Sequence, residues 1–359
     1  MVNHAQQTWR SRRILCAVLT TIGGAVSSSS HAQAGRDYID ITGSSTVFPF
    51  AIVVAENFGR RNPSFKTPKI EPTGSGGGIK AFCGGVGISY PDIANSSRRM
   101  TAGEVADCNA NGVAEIIEVK IGYDGIVLAN AKTSPHYQVT LRDVYLALAK
   151  DVPDPAGTQK LVPNPYTRWS EINSSLPADE ISVLGPPPTS GTRDAFNELV
   201  MEGGCKSFPW VAALPRDAYL ASCHMLRDDG HYIDAGEQDN LIVQKLTASP
   251  RQLGIFGYSF LEQNADKVQG AHINGVAPDF DSIVEGKYPV SRPLYFYVKK
   301  AHVERVPGIR EYVAEFTSDA AVGEYGYLAD SGLIPLDDGE RKAVQTQAKD
   351  LVPFRLGSP

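Results

Sequence analysis

The sequence predicts an α/β protein built from two domains, and three observations carry that prediction. Segments with strand alternation are followed repeatedly by segments with helical caps and helical periodicity. Three Gly/Ser/Thr runs stand where a strand hands over to a helix: Gly43-Ser44-Ser45-Thr46-Val47, Gly74-Ser75-Gly76-Gly77-Gly78 and Thr189-Ser190-Gly191-Thr192-Arg193. Two extended segments, residues 116–128 and 288–293, are placed to carry the chain across to a second domain and back.

The elements follow in order. Residues 38–42 alternate as a strand and enter the first run. Pro49 suits the first turn of the next helix, which should reach about Arg61 before Asn62-Pro63 stops it. Residues 69–73 read as a strand into the second run, with a helix from about Gly78. A short strand at 92–95 ends at Ser96-Ser97-Arg98-Arg99. Thr101 and Glu104 form a capping box for a helix through Ala106. After the first crossing come an amphipathic helix at 141–149, a strand at 181–185 and a helix at 192–201. Asp239 or Asn240 caps a helix through Leu246, ahead of residues 254–258. The second crossing leads into a strand at 294–298.

The first residues read as an export signal. Arg10, Arg12 and Arg13 form a basic region, residues 14–26 are apolar or small, and Ala32-Gln33-Ala34 fits a small-x-small cleavage site. Residues 1–34 are therefore expected to be removed with Cys16, leaving roughly 325 residues, enough for two domains. The chain holds 34 basic and 40 acidic residues; the leader takes three arginines and no acid, so the remainder carries a net charge of −9. That balance excludes nucleic acid and anionic membranes as partners. Cys83, Cys108, Cys205 and Cys223 remain, an even number for an oxidising compartment. Four cysteines permit three connectivities, of which Cys83 with Cys108 and Cys205 with Cys223 is favoured because it closes two local loops. No Cys-x-x-Cys pair points to zinc, and no cofactor is implied.

Helix N-termini present unpaired N–H groups and the positive end of the helix dipole, so the three runs are candidate oxyanion donors. Ser45 and Thr46 can serve as ordinary caps or as ligand donors. Ser75 lies between glycines in a tight turn or a cradle; no Gly-Lys-Ser/Thr follows, so this is not a P-loop. In the third run Arg193 occupies a first helical turn, a place unfavourable to a cation unless an anion is near. Ser97 and Arg98 end a strand facing the same mouth. No Gly-x-Ser-x-Gly elbow occurs and no histidine has a local triad partner, so catalysis is not expected. His224, His231 and His272 read as surface or packing residues, and Asp228-Asp229-Gly230 as a turn.

Taken together, Gly43-Ser-Ser-Thr-Val-Phe-Pro, Gly74-Ser-Gly-Gly-Gly, Asp92-Ile-Ala-Asn-Ser-Ser-Arg, Ser190-Gly-Thr-Arg-Asp-Ala-Phe and Tyr288-Pro-Val-Ser-Arg-Pro-Leu resemble the phosphate-binding proteins of bacterial ABC importers, in the type II periplasmic binding protein superfamily. The resemblance implies a Venus-flytrap architecture, with residues 35–122 and 292–359 in one domain and 123–291 in the other. It implies a periplasmic, monomeric receptor that closes on inorganic phosphate and delivers it to a membrane permease. Carried over by position, it puts phosphate against Ser45, Thr46, Val47, Ser75, Ser190, Gly191 and Thr192. Two positions depart from the pattern: Ser97 stands where many members have a proton-accepting aspartate, and Pro186 where they have an arginine. Arg193 or Arg98 can replace the cation, and Asp124 is a substitute acceptor or a turn residue. Sulfate and arsenate remain alternative ligands, and an exported phosphoesterase is the alternative from another class.

Overall fold

The computed structural model describes residues 36–188, 190–236 and 239–355. The expected leader, Cys16 and Thr189 lie outside them. Nine strands form one continuous ladder: β1 (Asp40–Gly43), β2 (Lys69–Pro72), β3 (Ile93–Ser96), β4 (Ile116–Ala131), β5 (Val183–Gly185), β6 (Tyr232–Asp234), β7 (Leu253–Gly257), β8 (Val268–Gly270) and β9 (Ser291–Lys299). The order β2-β1-β3-β9-β4-β7-β5-β6, with β8 also on β4, has two halves joined through β4.

In the first half β1 is flanked by β2 and β3 in parallel, and β9 runs antiparallel between β3 and β4. In the second half β7 and β8 run antiparallel to β4, while β5 is parallel to β7 and β6. β4 changes partners midway: Gly125 still pairs with Ser291 of β9, and Ile126 already pairs with Gly257 of β7. Each half is a lobe with its own apolar core. The first packs Phe58, Phe296, Tyr312 and Phe316 on one sheet face and Phe82, Met100 and Tyr297 on the other. The second gathers Tyr145, Trp169, Phe196 and Phe256.

Several elements differ from the sequence reading. The helix after β2, α2 (Ser75–Phe82), starts three residues early and runs through three glycines. Of the three, Gly78 is required, because a Cβ there would stand 2.4 Å from the Gly43 Cα. α3 (Ala102–Ala110) has the expected Thr101/Glu104 capping box and extends past Ala106. The helix after β5 is α4 (Gly191–Phe196), which widens into a π turn at Asn197–Met201. Asp239 is the first residue of helix α5 (Asp239–Ala248), and its Oδ2 accepts the Gly257 N–H at 3.1 Å. The second half of the expected return crossing, residues 291–293, and the strand after it form a single element, β9, while residues 288–290 form a turn ahead of it.

Both expected disulfides are present. Cys83–Cys108 ties the end of α2 to α3, and Cys205–Cys223 closes a loop of the second lobe. On a chain-entropy argument such closures each contribute roughly 3 kcal/mol. Among the described residues no group of three or more His, Cys, Asp or Glu could hold a metal, and no helix is long and apolar enough to cross a membrane.

Candidate anion-binding cleft

The first run leaves β1 through Gly43, whose φ of 132° favours glycine and whose added Cβ would overlap the Asn95 carbonyl of β3. The turn then folds on itself: Ser44 N–H donates to Asn95 O, and Ser44 Oγ accepts from Val47 N–H at 3.3 Å. Helix α1 (Phe48–Arg61) follows, with Pro49 in its first turn. Val47 is fully buried and its N–H donates to Ser44 Oγ, whereas Ser44, Ser45 and Thr46 line the cleft.

Two cavities meet at Ser45, Thr46 and Asp194. The smaller, about 260 Å³, adds Ser75 and Ser97 from the first lobe and Asn197, Glu198 and His224 from the second. Ser75 and Ser97 face each other with hydroxyls 3.0 Å apart, and Ser75 Oγ also accepts the Ser97 N–H. The larger, about 570 Å³, adds Ser190, Gly191 and Thr192, where Ser190 caps α4 by accepting the Thr192 N–H. Gly191 lies so close to the first run that a Cβ would be 2.8 Å from the Ser45 carbonyl oxygen. The lobes are therefore in contact at this point. The expected hydroxyl donors converge, distributed over both sides of it.

The expected cations do not. Arg98 spends both terminal nitrogens on Glu104, at 2.7 and 2.9 Å. Arg193 donates to the Pro186 carbonyl and the Tyr232 hydroxyl and stacks on the Tyr232 ring at 4.7 Å. Its first-turn position is thus compensated by a carbonyl and an aromatic face rather than by an anion.

A third arginine, Arg292, reaches the first run instead. It is buried at the head of β9, donates to Thr46 Oγ1 at 2.7 Å and to Glu198 at 2.5 Å, and lies 3.6 Å from Asp124. Asp124 and Arg292 are register partners on β4 and β9, where the strands leave the first lobe. Burial raises the Asp124 carboxyl above its usual range, against the opposing pull of Arg292. Asp194, one turn into α4, is raised by burial too, moderated by a hydrogen bond from Ser45. The cross-strand pair leaves no local motif; only the return-crossing segment containing Arg292 hinted at it.

A PBP superfamily domain matches residues 28–320. The chain belongs to the PBP superfamily. Among its relatives, protein SphX of Synechococcus elongatus is 29% identical over 330 residues, covering 89% of this chain and 85% of the relative. The phosphate-binding protein PstS of Staphylococcus saprophyticus is 24% identical, covering 92% of this chain and 90% of its own. A crystal structure of a possible phosphate-binding protein from Planctomyces limnophilus aligns with a TM-score of 0.70 at 26% identity, covering 88% of this chain and 98% of that one. The two-lobed α/β fold is thus that of this superfamily.

Proposed function

We propose that this protein is an exported, monomeric receptor that captures inorganic phosphate between its lobes and delivers it to an ABC permease, without covalent chemistry. One observation carries the reading: neutral hydroxyl donors from both lobes meet beside the buried Arg292. Ser45 and Thr46 belong to the first lobe together with Ser75 and Ser97, and Ser190 and Thr192 belong to the second. Phosphate-binding relatives that span nearly the whole chain support the same reading. Residues 35–122 with 292–359 would form one closing body and 123–291 the other, hinged where β4 changes partners and β9 returns.

Asp194 supplies what the pattern lacks at Ser97. A carboxylate beside the Ser45 hydroxyl accepts a proton from phosphate, whereas fully deprotonated sulfate would set oxygen lone pairs against it.

Calorimetric titration tests the reading. The protein, freed of carried-over anion by unfolding and refolding, should bind phosphate tightly and give no heat with sulfate at pH 8. Thr192→Asp places a carboxylate among the donors and should abolish binding with the circular-dichroism spectrum unchanged. Retained affinity in that variant would remove Thr192 from the site; absence of phosphate binding in the native protein would end the reading.

A further inference from the structure

The wall of the smaller cavity includes one side chain able to carry positive charge, His224. Among the described residues no lysine or arginine lines this cavity or the larger one. Arg292 bonds Thr46 and Glu198 but lines neither. Asp194 and Glu198 share the wall with His224, and an anion entering beside their carboxylates meets repulsion unless a cation faces it.

The ring is held in place by its surroundings. His224 is the last residue of the helix Arg216–His224, where the negative end of the helix dipole faces a positive charge. The preceding residue, Cys223, is tied to Cys205, which ends the short helix Glu202–Cys205. Glu202, at the head of that helix, stands 2.8 Å from His224 Nε2 through one oxygen. Its other oxygen accepts from the Tyr219 hydroxyl at 3.2 Å and lies 3.4 Å from Lys206 Nζ. With Nε2 so engaged, Nδ1 has no hydrogen-bond partner among the described residues. The charged groups around the ring are thus Glu202 with Lys206, and Asp194 and Glu198 on the cavity wall. From the first lobe the cavity receives hydroxyls and no charged side chain.

We propose that His224 is a phosphate-binding residue that makes capture depend on pH: its imidazolium donates the Nδ1 proton to the anion in the smaller cavity. The neutral ring, keeping its proton on Nε2 toward Glu202, turns an acceptor lone pair to the anion instead. The inference rests on phosphate occupying the cleft and adds a conditional donor to Ser45, Thr46, Ser75 and Ser97.

Calorimetry with inorganic phosphate from pH 5.5 to pH 8.5, on the native protein and on His224→Gln, tests it. Glutamine keeps an N–H for Glu202 and never carries charge. At pH 5.5 the native protein should bind at least about tenfold more tightly than the variant, the size of a charge-assisted hydrogen bond. That ratio should shrink at least fivefold by pH 8.5; the titration of phosphate itself is common to both proteins and cancels. Long-range proton–nitrogen NMR of the native protein gives a second readout that no folding defect disturbs. Phosphate at pH 5.5 should move the His224 Nδ1 resonance more than that of any other histidine. A ratio constant with pH, or an unmoved Nδ1 resonance, would overturn the inference with the phosphate receptor intact. No heat from phosphate with the native protein at any pH would remove that reading and this inference together.

Discussion

At the scale of single residues, all three arginines near the cleft have protein partners, and they differ in burial and in contact with the donor runs. Arg98 is held by a carboxylate that also belongs to a capping box, and Arg193 by a carbonyl and a tyrosine. Arg292 is the buried one, and it already points at Thr46. A guanidinium desolvated beside an anion is worth far more than one in solvent. Arg292→Ala should therefore weaken phosphate binding at least a hundredfold, while Arg98→Ala and Arg193→Ala stay within about threefold in the same titration. The reverse ranking would return the cation to the two arginines suggested by sequence order. Hydroxyl-rich runs could be recognised from residue type alone. The arginine could not, because its meaning depends on a strand partner far away in the chain.

Elements bring these side chains together by close backbone approach. Gly78 lets α2 rest on Gly43, and Gly191 lets the α4 N-terminus reach the Ser45 carbonyl. Helix boundaries near these points escaped local reasoning: three successive glycines argue against a helix, yet at Gly78 only glycine fits against the neighbouring backbone of Gly43. The same geometry makes a prediction about closure. Gly191→Ala puts a methyl group 2.8 Å from a backbone oxygen that cannot swing aside. Phosphate affinity should fall at least tenfold with an unchanged circular-dichroism spectrum, and small-angle scattering with ligand should give a larger radius of gyration than for the native protein. A native-like affinity would mean that the lobes bind without this contact.

On the scale of the whole molecule, two cores share one ladder, and β4 with β9 forms the joint between them. The first lobe also buries a cation away from the cleft. Lys299 is fully enclosed, donates to the Gly85 and Pro91 carbonyls at 2.7 and 3.0 Å, and lies over the Phe82 ring. Burial pulls its ammonium down to about 8, although nearby Asp92 acts in the opposite direction. Between that value and the ordinary 10.5, the unfolded chain holds a proton that the folded chain has released, so stability from this group rises with pH. At about 1.4 kcal/mol per unit the gain is at most about 3.5 kcal/mol. The melting temperature of the native protein relative to Lys299→Met should accordingly increase from pH 7.5 to pH 10; a constant difference would show that Lys299 does not titrate in that window.

Residue order by itself determined the α/β class, the three Gly/Ser/Thr runs and the capping box at Thr101, and it favoured one of three possible cysteine pairings, the one the structure has. Each depends on neighbours in sequence: periodicity, small residues ahead of helices, hydroxyl–carboxylate spacing and short loop closures. Tertiary structure alone decided that the Val47 N–H donates to Ser44, that Arg98 and Arg193 are occupied elsewhere, and that Arg292 and Asp124 stand opposite each other. Those outcomes are set by competition among partners brought together through folding, and a charged side chain follows the nearest group that compensates its desolvation.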